Sequence, residues 1–205
     1  MSRVWSALSF LTRGLLRTRG DSTGAFIYLS FDDGPHPLHT PELLRLLAQH
    51  NAKGSFFLQG NKAQQEPDVV RRLLAEGHAI GNHSMTHPSM KYLDARNQWA
   101  EIVNADLALQ LFDGCPKHMY RPPNGRLTIT TLVACILRRQ PLVLWAIDSL
   151  DYKLSPPEVV ARLQARRPLG GDVILFHDDA AGAAKALEIL LPQWKEMGFT
   201  FPRLK

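Results

Sequence analysis

From Phe26 to the C-terminus the chain alternates short β-prone runs with longer helical stretches, and that alternation limits the fold more than any other feature. Phe26-Ile27-Tyr28-Leu29-Ser30-Phe31 predicts a strand, ended by the turn residues Asp32-Asp33-Gly34-Pro35. A helix to about His50 follows, with Thr40 as N-cap, Pro41 in the first helical position and Leu43, Leu46 and Leu47 on one face. The same order then repeats. Further strands are predicted at 55–58, 78–83, 118–121, 142–147, 173–177 and 199–201. Further helices are predicted at 67–76, 94–112, 128–139, 156–166 and 180–197, the first closed by Gly77. Strands separated by helices of this length imply parallel β-α units. About seven such units in 205 residues predict a single α/β domain, either a barrel or a doubly wound sheet.

In α/β folds of either kind, functional groups collect at the C-terminal ends of the strands. Here predicted strands end in Asp32-Asp33, His83, Arg121 and His177, and the strand closing at Ile147 runs into Asp148 and Asp151. Polar residues that keep choosing the same strand end mark one site rather than scattered surface polarity.

Composition removes several function classes. No apolar run reaches the roughly 18–20 residues that cross a bilayer as a helix. The formal charge is +5, yet there is no zinc-finger spacing, no RNA-binding aromatic signature and no Lys/Arg run longer than two. No nucleic-acid partner is expected, because a charge excess alone does not specify one. Cys115 and Cys135 are too few for a disulfide framework. Two buried thiols are the plain reading, compatible with a reducing compartment, and a single disulfide stays open.

The first residues stand apart. Met1 to Gly20 holds no acid, while Arg3, Arg13, Arg17 and Arg19 supply positive charge. At about 100° per residue, Val4, Leu8, Leu11 and Leu15 share one side of a helix and Arg3, Arg13 and Arg17 lie near the other. Ser6, Ser9 and Arg13 interrupt the apolar stretch, and no cleavage site of the secretory kind follows. Residues 1–22 therefore read as a basic amphipathic helix whose apolar side rests on a membrane surface or on the domain. The expected location is cytoplasmic, with residues 1–20 offering a peripheral contact at the inner membrane face.

The chemistry concentrates in a few short stretches. His83-Ser84-Met85-Thr86-His87 carries two imidazoles four residues apart in polar loop sequence, able to converge on one ion. Asp32 and Asp33 alternate in direction at their strand end. One can bind a cation while its neighbour takes a proton. Two histidines and one aspartate leave coordination positions open for water and substrate, the catalytic pattern for zinc. In Arg121-Pro122-Pro123-Asn124-Gly125 the prolines fix the backbone that aims an arginine and a nearby N–H. His177, at the end of an apolar strand, is placed as a general acid. Asp151 is placed to orient it or hold its charge.

Taken in order, Ser30-Phe31-Asp32-Asp33-Gly34-Pro35, His83 to Pro88, Arg121 to Gly125, Asp148 to Tyr152 and Leu175-Phe176-His177-Asp178 resemble the five motifs of the polysaccharide deacetylases, the NodB homology domain enzymes of carbohydrate esterase family four. The similarity runs from about Phe26 to Leu204 and assigns residues 23–205 to one catalytic domain. It implies a distorted (β/α)7 barrel and one divalent ion, Zn2+ with Co2+, Mn2+ or Ni2+ as alternatives, held by Asp33, His83 and His87. It further implies Asp32 as general base positioned by Arg121, and His177 as the acid tuned by Asp151. The backbone N–H of Asn124 would hold the oxyanion, Leu175 would face the acetyl methyl, and Tyr152 would wall the acyl pocket. Asn124 stands where the family commonly has an aromatic residue, and Tyr152 where it has tryptophan. Both changes bear on substrate and acyl group rather than on catalytic groups.

The function so implied is metal-dependent hydrolysis of the N-acetyl group of an N-acetylated amino sugar in an oligosaccharide, polysaccharide or lipid-linked glycan precursor. Two alternatives accompany it. One is a deformylase of a lipid-linked formamido sugar; the other is a catalytically inactive carbohydrate-binding relative, against which the complete set of acids, imidazoles and arginine argues.

Overall fold

The computed structural model describes residues 15–205. Its elements in chain order are β1 (Leu16–Arg17), β2 (Tyr28–Asp32), α1 (His39–Gln49), β3 (Gly54–Leu58), α2 (Gly60–Gln65), α3 (Pro67–Ala75) and β4 (Ala79–Asn82). Then come α4 (Ala95–Asp113), α5 (Ile129–Arg138), β5 (Leu142–Val143), β6 (Ile147–Asp148), α6 (Pro156–Arg166), β7 (Val173–His177) and α7 (Gly182–Glu196).

Five strands form a wholly parallel sheet in the order β4-β3-β2-β7-β6. Tyr120 continues the ring, bridging Asn82 at the end of β4 on one side and Leu142 of β5 on the other. β5 and β6 lie close together in the chain, so the seven strand positions curl into a distorted (β/α)7 barrel with helices outside. Strands buried on both faces must be apolar almost throughout, and β2 and β3 are buried at every position.

Alternation along β2 sorts its side chains into two layers. Leu29 and Phe31 face the helices, where Phe31 stacks on Phe56 at 4.7 Å and on Phe176 at 5.9 Å, within the main core. Tyr28 packs with Phe57, Val143 and Val173 in a second cluster, and Ser30 and Asp32 follow it at every second position. Both strand faces are thus filled with packed side chains.

Helix ends follow local sequence signals. Asp94 caps α4 by accepting from Asn97 N at 2.8 Å, and Gly114 ends it at φ 73°. Ser155 and Glu158 form a capping box ahead of α6, with Pro156 in the first turn.

The structure corrects several expectations. Residues 1–14 of the N-terminal helix expected over 1–22 lie outside the described residues. Beyond them the chain is not helical: Leu16 and Arg17 form β1, parallel to Leu142 and Val143. The open edge of β5 supplies the reason, since Leu15 and Arg17 carbonyls accept from Leu142 N and Leu144 N at 2.6 and 2.7 Å. The strand expected at 118–121 shrinks to the bridge at Tyr120, and that at 142–147 splits into β5 and β6. Thr200 pairs with Phe26 as a single bridge, and α2 is an element the sequence pattern did not show. α1 starts at His39 with Leu38 as its cap residue, because Thr40 turns its hydroxyl to Asp178 at 2.5 Å. Cys115 and Cys135 are both free thiols, but only Cys135 is buried; Cys115, just after α4, is exposed. No helix among the described residues is long and apolar enough to cross a membrane.

Candidate active site

Two chain segments bring the three expected ion-binding side chains together. Asp32 closes β2, and Asp33 follows in a left-handed conformation at φ 74°. His83 follows β4 directly, and a tight loop through Ser84 (φ 69°) returns His87 (φ 58°) to the same point. Asn124 (φ 55°) and Leu150 (φ 59°) add further left-handed residues in the site loops. Such conformations cost about 1–3 kcal/mol each for non-glycine residues and gather where function requires them. Gly34 is demanded by packing: an added Cβ would lie 2.2 Å from both Asp178 carboxylate oxygens.

Asp33, His83 and His87 offer ligand atoms that all lie within 4.8 Å of one another. Asp33 Oδ1 sits 3.2 Å from His87 Nε2 and 3.6 Å from His83 Nε2. His83 Nδ1 lies 2.7 Å from the Arg121 carbonyl oxygen, which can only accept, so the proton is on Nδ1 and the Nε2 lone pair faces the aspartates. Burial pushes the His83 imidazolium down, favouring the neutral ring a metal needs. Burial pushes Asp33 the other way, but the His83, His87 and His177 charges and a bond from Gln59 hold it below the usual carboxylate range. Lys62 Nζ donates to the Asp33 carbonyl at 2.8 Å and fixes the turn. Two imidazoles and one ionised carboxylate at an open cavity are a donor set that fits a catalytic divalent ion.

Arg121 is wholly buried, and four of its five N–H donors are engaged. Nη1 donates to Asp32 Oδ1 at 2.6 Å and to Ser30 Oγ at 3.0 Å; Nε and Nη2 donate to the Val143 and Leu144 carbonyls at 3.1 Å. The guanidinium lies 3.9 Å over the Phe57 ring and 5.6 Å from Trp145. This rigid seat engages one carboxylate oxygen of Asp32. The other, Oδ2, points toward His83 Nε2 at 3.7 Å.

Across the cavity, Asp151 accepts from the His177 backbone N–H through Oδ2 and meets His177 Nδ1 through Oδ1, both at 2.8 Å. Burial lowers the His177 pKa, but the bond to Asp151, that carboxylate's charge and those of Asp32 and Asp33 outweigh it and raise it to about 9. His177 is therefore a protonated imidazole with Nε2 as its remaining donor. Tyr152 meets the same ring edge-on, with centroids 5.1 Å apart.

These groups line a cavity of about 400 Å³ with Asn124, Leu175 and Tyr152, so every site residue expected from the sequence either faces it or, like Arg121 and Asp151, grips a residue that does. The cavity also includes Trp145, Arg126, Asp148 and Asp179, and the site depends on Ser30, Phe57 and Gln59. Sequence reasoning missed most of these. Ser30 had a readable signal, because it lies two residues before Asp32 on the same strand face; Trp145, Phe57 and Gln59 had none.

Comparison with known proteins agrees with this geometry. A family model described as polysaccharide deacetylase matches residues 19–138. A peptidoglycan-N-acetylglucosamine deacetylase of Bacillus cereus is 30% identical over 98% of this chain and 74% of its own. A chitooligosaccharide deacetylase of a Bradyrhizobium species is 33% identical over 89% of this chain and 91% of its own. Among solved structures, the Bc1960 peptidoglycan N-acetylglucosamine deacetylase in complex with a naphthalenyl N-oxidanyl-benzamide superposes with a TM-score of 0.88 at 31% identity, covering 98% of this chain and 95% of its own. With barrel, strand-end cluster and these relatives together, the chain belongs to the polysaccharide deacetylase family, the NodB homology group of carbohydrate N-deacetylases.

Proposed function

We propose that the chain removes the acetyl group from N-acetylglucosamine units of a glycan, with zinc as the ion held by Asp33, His83 and His87. The observation that carries this reading is that the ion-binding triad, the Asp32–Arg121 pair and the His177–Asp151 pair all converge on one cavity. The relatives named for N-acetylglucosamine and chitooligosaccharide substrates support the choice of sugar.

Bound there, the ion supplies Lewis acidity toward the amide carbonyl. The chain's own groups supply the proton transfers. Water attacks the carbonyl carbon and gives its proton to Asp32, whose Oδ2 is left available because Arg121 engages Oδ1. Negative charge develops on the former carbonyl oxygen, where the Asn124 backbone N–H is the donor we assign. The C–N bond breaks as His177 gives its Nε2 proton to the departing nitrogen, while Asp151 holds Nδ1. Acetate and a free amine leave. Leu175, almost fully buried in the wall, forms the apolar seat for the acetyl methyl, and Tyr152 flanks it in place of a tryptophan.

The test is release of acetate and amine by the zinc-loaded protein from chitooligosaccharides, peptidoglycan and a lipid-linked acetamido sugar, with a formamido analogue monitored for formate. Acetate release that stops with a chelator and returns with zinc is expected. No amine release from any of these substrates would refute the reading.

A further inference from the structure

We propose that the outer face of α5 docks the protein on an anionic lipid surface. An outer helix of an α/β barrel buries one face and turns charged or polar residues outward. α5 buries Thr131, Ala134 and Cys135, yet its opposite face carries Ile129, Val133 and Leu137 at successive turns, 84%, 45% and 70% exposed. The helix is therefore apolar on both sides, an arrangement that marks an interaction site.

Charge around the stripe selects the partner. From Lys117 to Ile147 the chain contains no acidic residue. Of the cations in that span, Arg121 is buried against Asp32 and Arg138 is paired with Asp106, while Lys117, Arg126 and Arg139 sit exposed at the two ends of α5. An aliphatic stripe between basic residues matches a lipid interface, with acyl chains meeting the stripe and anionic headgroups meeting the cations. A two-fold contact with a second copy would set the same basic rim against itself. Leu15, which falls in the acid-free run from Met1 to Gly20, packs on the cluster that holds Ala134 and Cys135.

Docking also orients the site. Asn124 and Arg126 line the cavity, and Thr128 caps α5 immediately afterwards. On the proposed function, a membrane against α5 would lie beside the cavity rim that Asn124 and Arg126 form.

Flotation of the zinc-loaded full chain with phosphatidylglycerol–phosphatidylcholine vesicles tests the surface without reference to turnover. Binding to the anionic vesicles, weakened by salt and by pure phosphatidylcholine, is expected. Ile129→Asp with Leu137→Asp should reduce it at least roughly tenfold, with zinc content and melting temperature unchanged. Should the charged pair fail to fold, Ile129→Ser with Leu137→Ser gives the same readout. Absence of vesicle binding, equal binding by the variants, or a wild-type dimer in light scattering that the substitutions dissociate would each overturn the proposal.

Discussion

Replacing Asp151 by asparagine isolates the group that makes His177 an acid. Asp151 is the neighbour that both hydrogen-bonds and charges against the imidazole, at 2.8 Å. With it, His177 has a pKa of about 9; without it, burial acts downward on a ring whose ordinary value is near 6.5. The departure from the ordinary value corresponds to about 3 kcal/mol of preference for the protonated form, with Asp151 the largest favourable contributor and Asp32 and Asp33 the rest. At about pH 7.5 a group with pKa 9 is roughly 97% protonated and one at 6.5 roughly 9%, a tenfold loss of competent acid. A cation among Asp33, His83 and His87 opposes the pull of Asp32 and Asp33 on both proteins alike, so the difference survives metal loading. The alkaline limb of kcat/KM for Asp151→Asn should therefore move down by about two pH units, with a loss of at least tenfold near pH 8 and a smaller one near pH 6. The sign for stability follows. Because the folded pKa exceeds the unfolded one, the pair stabilises the fold fully below about pH 6.5, and that contribution disappears as pH rises through about 9. Urea unfolding should show Asp151→Asn destabilised at pH 6 and nearly equal to wild type at pH 10. Superimposable alkaline limbs would refute the assignment of His177 as an acid tuned by Asp151.

The remaining expectations separate binding from turnover and packing from chemistry. His83→Ala or His87→Ala should abolish zinc retention after gel filtration, whereas Asp32→Asn should keep the ion and lose at least roughly 10²-fold in kcat; near-normal turnover by Asp32→Asn would move the base elsewhere. Gly34→Ala forces a methyl group into the Asp178 carboxylate and should cost about 1–3 kcal/mol in urea unfolding and weaken zinc affinity by shifting Asp33; unchanged stability and affinity would show that the turn relaxes freely.

The chain declares its central strands openly. β2 and β7 read correctly because a strand covered on both faces is mostly apolar along its length, and in β2 only Ser30 interrupts the run before the terminal Asp32. The trouble lay where the barrel closes. Residues 118–121 and 142–147 have strand composition, but the length of ladder each keeps depends on how sharply the sheet curls, which is why Tyr120 alone bridges β4 and β5. Leu15 to Arg17 satisfies a helical period and a strand equally, and the unpaired edge of β5 decided between them. α2, only six residues long and largely polar, gives periodicity too little length to register.

The candidate site divides in the same way. Residue type and strand-end position, both local properties, sufficed to bring out Asp32, Asp33, His83, His87, Arg121 and His177 as one constellation. Residues alone left open which of the two adjacent carboxylates meets the imidazoles. That was settled by the left-handed turn at Asp33, held by Lys62, Gln59 and the Asp178 carboxylate against Gly34, which sends Asp33 to the histidines and leaves Asp32 to the guanidinium. Likewise the seat of Arg121, built from Ser30, Phe57, Val143 and Leu144, draws on three strands distant in sequence, and no local pattern encodes a contact that exists only once the barrel has closed.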